Sequence, residues 1–409
     1  MYQNMPPGKI GELMERIYFD NSATTKVDPR VLEEMLPYFT EKYGNASSLH
    51  SFGQDAYDAM EMARERTGKA LGTAARDIIF TSGGTESDNL ALQGAAYALA
   101  NKGKHIITSM VEHHAILHTC QFLETQGFKV TYLPVDAEGL VSVEGLKNAM
   151  TKETTLVSIM AANNEIGTIQ PIKELAEVAK EGGALFHTDA VQAMTKVPLD
   201  MSKLKVDMLS LSAHKVHGPK GVGALYIRKG VKLRPIIYGG GHERGLRSST
   251  ENIPGLVGLG KALEIGMSEM DDSIAKMTKI RDRLIEGTLS SVPRSYLNGP
   301  KGDKRLCNNA HFRFDYIEGE GMILHLDMRG FAASTGSACS TKSLEPSHVL
   351  RSLGLKHEQC HGSLRLSLSK FNTMDEAEKF IITIGPIIEN LRKMSPLSEG
   401  VSYNVATVH

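Results

Sequence analysis

The stretch "LSLSAHKVHGPKGVG", Leu209 to Gly223, decides how the chain is read. Its alternation of apolar and small residues has the period of a β-strand, and it runs into Lys215, set beside His214, His217 and a Gly-Pro-Lys-Gly turn. A lysine at the mouth of a buried strand costs free energy unless it is paired, snorkelled or chemically used. The strand-like run spans 206–215, and six others share its character, at 77–82, 104–109, 128–135, 154–164, 183–190 and 223–229. Amphipathic stretches such as 113–126 and 172–181 lie between several of them. This alternation predicts an α/β fold around a mostly parallel, buried, seven-stranded sheet. After Pro254 the pattern changes to a mixed-charge helical stretch over 256–290, then strands near 306–314 and 363–369 and a closing helix from 374. These predict a second, smaller α+β domain packed on the first.

Composition narrows the function. A chain of 409 residues has room for about two or three domains. Hydrophobic residues make up 41%, charged residues 23%, and the formal net charge is -1. There is no basic field of the kind nucleic-acid binding needs, so a small-molecule site is expected. The longest apolar runs, such as Phe380 to Ile388, fall short of the ~18 residues that span a bilayer. The opening "MYQNMPPGKIGELMER" lacks the apolar centre of a signal peptide, and a soluble cytoplasmic protein without membrane contact is expected. Cys120, Cys307, Cys339 and Cys360 form no C-x-x-C pair, which predicts neither a disulfide framework nor a zinc site. If one of them matters, it matters as a thiol.

Ligands of a parallel α/β sheet gather beyond the carboxyl ends of its strands. Those ends supply "TSGGTESDN" (81–89), "VEHHA" (111–115), "NNEIG" (163–167), "HTDAVQ" (187–192) and "SAHK" (212–215). Gly83, Gly84 and Thr85 before a helix suit a phosphate, which free N-H groups and the positive end of the helix dipole would bind, though the same residues form an ordinary cap. Asp189 reads either as a helix cap or as a buried carboxylate kept ionised by an opposing cation. Lys215 reads either as a snorkelled lysine or as a Schiff-base lysine, whose amine must lose its proton before it attacks a carbonyl. Pyridoxal 5'-phosphate would use all three. It has a phosphate for the Thr85 turn, an aldehyde for Lys215 and a ring nitrogen for Asp189, and its ring face could stack on His113.

The segments "YFDNSATT", "TSGGTESDN", "NNEIG", "HTDAVQ", "SAHKVHGPKGVGALY", "GGGHERGLRSST", "STGSACS" and "LEPSHVLRSLG" closely resemble the cysteine desulfurases, pyridoxal-phosphate enzymes of the class V aminotransferase family that supply sulfur for iron-sulfur clusters. The resemblance runs from Tyr18 to Leu397, and "STGSACSTKSLEPSHVL" is similar to the long-loop group. It implies an aspartate-aminotransferase-like fold (fold type I), with a large domain over 31–262 and a small domain from 1–30 and 263–409. It also implies a homodimer acting on L-cysteine, with an iron-sulfur scaffold protein as sulfur acceptor and transfer-RNA thiolation as a further destination.

Carried over residue by residue, the resemblance makes Lys215 the cofactor lysine. Thr85, Ser212 and His214 would hold the phosphate with Gly84, and Thr250 would reach the cofactor of the other subunit. Asp189 would pair with the pyridine nitrogen and Gln192 with the ring oxygen, with Asn164 beside them, and His113 would stack and exchange protons. Arg365 would grip the substrate carboxylate, for which its planar fork is suited. Cys339, in a small and polar setting that fits a mobile loop, would be the nucleophile that takes the sulfur as a persulfide. It is also the one candidate metal ligand, to a transient [2Fe-2S] cluster shared with the scaffold. Cys120, in an expected helix, and Cys307, in an expected strand, read as packing residues. Gly84, Ala213, Ser249 and "NASSLH" depart from the commoner family pattern by small-for-small changes or a missing proline. The tail "SEGVSYNVATVH" does not resemble the longer tail with which some members meet the scaffold. A selenocysteine lyase and a small-substrate aminotransferase of the same fold are the competing readings.

Overall fold

Five of the seven strands in the central sheet are buried along their whole length, which is why they read as near-continuous apolar and small residues. In the computed structural model, which describes residues 16–336 and 346–395, the strands are β1 (Ile78–Thr81), β2 (His105–Ser109), β3 (Lys129–Leu133), β4 (Thr154–Ser158), β5 (Leu185–Asp189), β6 (Met208–Ser212) and β7 (Gly223–Ile227). Their spatial order is β1-β7-β6-β5-β4-β2-β3. β7 runs against both its neighbours, β1 and β6, and every other pairing in the sheet is parallel.

Side chains alternate across the sheet and fill two layers. On one face Ile79, Ile106, Leu156, Met208 and Leu225 pack under α2 (Gly84–Leu99) and α3 (His114–Thr125). On the other, Phe80, Val157, Phe186, Leu209 and Leu211 meet α1 (Ser51–Leu71), α4 (Ile172–Glu181) and α5 (Ile253–Ser268). α1 and α5 approach closely because Gly260 lies against Ala63: a Cβ at Gly260 would stand 2.8 Å from the Ala63 Cα.

A separate apolar cluster is built from α6 (Met270–Ser291), α7 (Met374–Met394) and an antiparallel sheet of β8 (Ser295–Leu297), β9 (Asn309–Phe314) and β10 (Ser363–Ser367). Phe312, Leu364, Leu366 and Phe380 are fully buried in it. The chain's first described residues join this cluster. Ile17–Tyr18 pairs with Phe331–Ala332, and Phe19 packs on Phe331 and Phe380 at ring distances of 6.3 and 6.0 Å.

Local chemistry sets four differences from the sequence expectation. The run 154–164 is regular strand only to Ser158; the Ile159 and Ala161 N-H groups still reach the His187 and Asp189 carbonyls, and the Asn163 carboxamide then captures the N-H groups of Glu165 and Ile166 in a turn. The run 206–215 ends at Ser212, and Ala213–Lys215 coil into one 3-10 turn. The stretch 256–290 is two helices that meet at Glu269, where the backbone leaves helical geometry (φ -103°, ψ 8°). Cys307 sits in the turn before β9 instead of in a strand. No helix among the described residues is long and apolar enough to cross a membrane.

Candidate functional site

Six strands of the sheet share one direction, so their carboxyl ends form one rim. A cavity of about 890 Å³ opens there, and Gly84 and Thr85 after β1, His113 after β2, Asn164 after β4, Asp189 and Gln192 from the end of β5, Ser212 at the end of β6, and His214 and Lys215 after it all line it. Arg365, from β10 of the second sheet, closes the cavity from the other side. An adjoining space of about 380 Å³ is lined by Gly83, Gly84, Thr85, Ser212 and His214. It lies at the N-terminus of α2, whose first amides have no side-chain cap. Glycine is required beside it, since a Cβ at Gly223 would stand 2.6 Å from the Leu211 carbonyl and 2.7 Å from the Gly83 Cα.

The strand-ending 3-10 turn points Lys215 back toward the N-terminal segment, where its ammonium donates to the carbonyls of Ser22 and Ala23, the latter at 2.7 Å. Burial, aided by the positive charges of Arg365 and Lys196, lowers its pKa from 10.5 to about 8, against the pull of Asp20 and Asp189. The amine is therefore far closer to its nucleophilic form than an ordinary lysine.

Asp189 is 6% exposed, and its carboxylate accepts the Val191 N-H at 2.9 Å. Burial pushes its carboxyl up to about 6, although the Val191 bond and the Lys215 charge favour the ionised form. Around it sit two further buried acids. Glu112 accepts from Ser109 Oγ at 2.6 Å and from the Met160 N-H at 3.0 Å, and burial raises it to about 8. Asp88 is raised well above the carboxylate range by burial and by Asp189. It faces His187 Nε2 at 3.7 Å. Burial drops that histidine to about 3, and its ring is held by Ser158 and Ser210, each at 2.9 Å. Burial raises all three acids, and of them Asp189 is the one whose ionised form the Lys215 charge favours.

His113 caps α3, its Nδ1 accepting the Ala115 N-H at 3.1 Å, which leaves the proton on Nε2. Burial and the nearby Lys215, His348 and His118 lower its pKa to about 4, so the ring is neutral. His214 is neutral for similar reasons, at about 4, with Nδ1 against Thr24 Oγ1 at 3.2 Å. Gln192 donates to the Ser22 carbonyl at 2.9 Å.

Arg365 is 2% exposed, a buried residue and not a solvated edge arginine. Its Nη1 donates to the carbonyls of Asn164 and Gly336, both at 3.2 Å, and its Nη2 pairs with Asp20 at 2.8 Å. Its Nε is buried without a hydrogen-bond partner among the described residues, which suits an incoming carboxylate.

Two expected site residues stand apart. Thr250 is exposed and lines a different, smaller cavity with Ser82 and Arg247. Cys339 lies outside the described residues, as do the stretch before Arg16 and the tail from Pro396. The other cysteines are buried, and burial raises Cys120 to about 12 and Cys307 and Cys360 to about 11. Their thiols stay protonated at neutral pH. No group of three or more His, Cys, Asp or Glu among the described residues is placed to hold a metal ion.

This donor set fits pyridoxal phosphate. A buried acid bonded only by a backbone N-H among the described residues would take a ring nitrogen, an amine of lowered pKa an aldehyde, and an uncapped helix N-terminus a phosphate. Sequence reasoning missed Asp20, Asp88, Glu112, Glu165 and His187. All lie inside or next to the motifs already quoted, but only their burial makes them notable.

The description "Aminotransferase class-V" matches residues 17–380. A protein of Clostridium botulinum named cysteine desulfurase IscS is 56% identical over 391 residues, 95% of this chain and 98% of its own. A cysteine desulfurase IscS of Methanosarcina thermophila is 56% identical over 382 residues, 93% of this chain and 94% of its own. Among solved structures, a NifS-like protein superposes with a TM-score of 0.87 at 43% identity, covering 92% of this chain and all of that one. A structure described as SspA in complex with cysteine gives 0.77 at 38% identity, covering 87% and 99%.

Proposed function

The chain belongs to the class V aminotransferase family and is a pyridoxal-phosphate-dependent cysteine desulfurase, and from that premise we propose how its own residues remove sulfur from L-cysteine. The observation that carries the reading is Lys215, its amine brought to about 8, in one cavity with buried Asp189 and the part-satisfied Arg365. Pyridoxal phosphate supplies the electron sink that weakens bonds at the substrate's α-carbon.

Lys215 Nζ holds the cofactor and moves protons beside it. Asp189, whose ionised form the Lys215 charge favours, keeps the ring nitrogen cationic. Thr85, Ser212, His214 and the amides from Gly84 onward bind the phosphate, and Thr250 does so for the partner subunit's cofactor. Gln192 bonds the ring oxygen. Neutral His113 stacks on the ring and donates a hydrogen bond from Nε2. Arg365 and Asn164 orient the substrate through its carboxylate.

The Cys339 thiolate attacks the substrate sulfur. A sulfur-sulfur bond forms and the carbon-sulfur bond breaks, its electron pair staying on carbon, which takes up a proton and leaves as alanine. The high pKa values of Cys120, Cys307 and Cys360 favour Cys339 as this nucleophile.

The persulfide is passed to an iron-sulfur scaffold protein, for which Cys339 would also serve as a transient cluster ligand. The enzyme acts as a homodimer. Support comes from a run of exposed apolar residues, Leu32, Leu36, Phe39, Tyr43, Leu49 and Phe52, of the kind that marks an interface. The large domain spans 31–262, and the small domain comprises 1–30 and 263–409. The separate apolar cluster that joins Phe19 to Phe312 and Phe380 supports this division.

Cys339→Ser tests the assignment. The variant should bind cysteine and change its absorbance in rapid mixing, yet release no alanine and carry no persulfide. Normal alanine release, or an added sulfur found on another cysteine of the wild type, would refute it.

A further inference from the structure

The space at the start of α2 that suits a phosphate is lined by one acid among the described residues, Glu86, which sits in the first turn of the helix beside Ser82, Gly83, Gly84 and Thr85. A carboxylate there repels a phosphate unless its charge is matched. The match comes from outside the turn. Glu86 Oε1 accepts from Arg247 Nε at 2.9 Å, and Oε2 accepts from Arg247 Nη2 at 3.4 Å and from the Ser82 N-H at 2.9 Å. Burial raises the Glu86 pKa, but these bonds outweigh it and hold it below the ordinary 4.5, so the acid is ionised at neutral pH.

The loop that delivers Arg247 is fastened to β1, the strand that leads into the same turn. The Glu243 side chain is 3% exposed, and its carboxylate accepts from Arg64 Nη1 and Nη2 at 2.7 and 2.8 Å and from the Phe80 N-H at 2.9 Å. Arg244 Nη2 donates to the Ile78 carbonyl at 3.2 Å. Glu243 and Arg244 have φ of +47° and +58°, left-handed values that residues with side chains seldom adopt unless their surroundings enforce them. Here bonds to β1 hold the strained turn, and three residues further on the guanidinium of Arg247 stands against the first turn of α2.

We propose that Arg247 is a positioning residue for the cofactor phosphate, pairing with Glu86 so that the first turn of α2 takes an anion without repulsion from its own carboxylate. The proposal rests on phosphate binding at the start of α2. With Glu86 neutralised, the uncapped amides from Gly84 onward act on the phosphate undiminished. Arg247 itself lines the neighbouring cavity with Ser82 and Thr250, and it acts on the phosphate through Glu86.

The test titrates the full-length chain, stripped of cofactor, with pyridoxal phosphate and with pyridoxal, followed by absorbance. Pyridoxal keeps the ring and the aldehyde and lacks the phosphate. Arg247→Gln should weaken the binding of pyridoxal phosphate roughly tenfold and leave that of pyridoxal unchanged. Glu86→Gln keeps an oxygen for the Ser82 N-H and frees the Arg247 charge, so it should bind pyridoxal phosphate at least as tightly as the wild type. The double variant should recover the affinity that Arg247→Gln loses. A loop displaced bodily would not be rescued by a change at Glu86. Unchanged affinity in Arg247→Gln, an equal loss for both ligands, or a double variant no better than Arg247→Gln would overturn the proposal and leave the phosphate site in place. Equal affinity of the wild type for the two ligands would remove the phosphate site and the proposal with it. If Arg247→Gln does not fold, Glu86→Gln decides, because weaker binding of pyridoxal phosphate there would contradict a repulsive acid.

Discussion

The titration of Lys215 can be turned in either direction by single substitutions. Its pKa falls from 10.5 to about 8, with burial the first cause, Arg365 and Lys196 adding to the fall, and Asp20 and Asp189 opposing it. A fall of that size corresponds to roughly 3.4 kcal/mol disfavouring the charged form. At pH 7.5 about a quarter of the amine is then neutral, against about one part in a thousand for an ordinary lysine. Arg365→Gln removes a neighbouring positive charge and should move the midpoint upward. Asp189→Asn removes a negative charge without changing shape and should move it downward. The assay is trace acetylation of the chain stripped of cofactor, across pH 6 to 11, with the Lys215 peptide quantified by mass spectrometry. The same shift has a linked effect on stability. Between about pH 8 and 10.5 the unfolded chain carries the Lys215 proton and the folded chain does not, so unfolding free energy from this group should rise with pH across that window. A wild-type midpoint at or above 10, or both variants moving the same way, would refute the electrostatic account.

Two further outcomes are expected. Asp189→Asn should slow the steps at the α-carbon by roughly a hundred- to a thousandfold, the scale of lost preorganised charge, and an unchanged single-turnover rate would count against the pairing with the ring nitrogen. Phe312→Ala, at a ring with no exposed surface in the second apolar cluster, should cost about 3–5 kcal/mol, measured as a lower denaturant midpoint at constant slope.

Much of this was legible because burial writes itself into composition. β1, β2, β4, β6 and β7 are apolar or small at nearly every position, and the polar residues just beyond them are the ones that line the cavity. The ends of the strands were less so. That the run turns at 163–166 depends on one carboxamide, Asn163, folding back on its own backbone. The raised pKa values of Asp88 and Glu112 were hidden altogether, because an acid in a sequence carries no record of how much water it will lose. Arg365 had no local sign of burial either; its partner Asp20 is 345 positions away along the chain. Cys339 is known by its sequence setting alone, and the raised thiols elsewhere are what the structure adds to its case.

The route of the first described residues bears on how the protein is made. Residues 17–25 run between the two apolar clusters. Asn21 donates to the Ser367 carbonyl at 2.8 Å, the Ser22 N-H to Ser367 Oγ at 2.7 Å, and the same short stretch gives Lys215 its two acceptors. During synthesis the sheet that bears Lys215 emerges well before Ser367 exists, and domains tend to fold as they emerge. A ribosome-bound chain that stops short of β10 thus has the lysine and Asp189 but not Arg365, nor the strand that anchors Asn21 and Ser22. The substrate end of the pocket is complete only when β10 has joined residues 17–25 and the sheet that bears Lys215, so a product truncated before β10 keeps the cofactor-holding residues and lacks the arginine that orients the substrate.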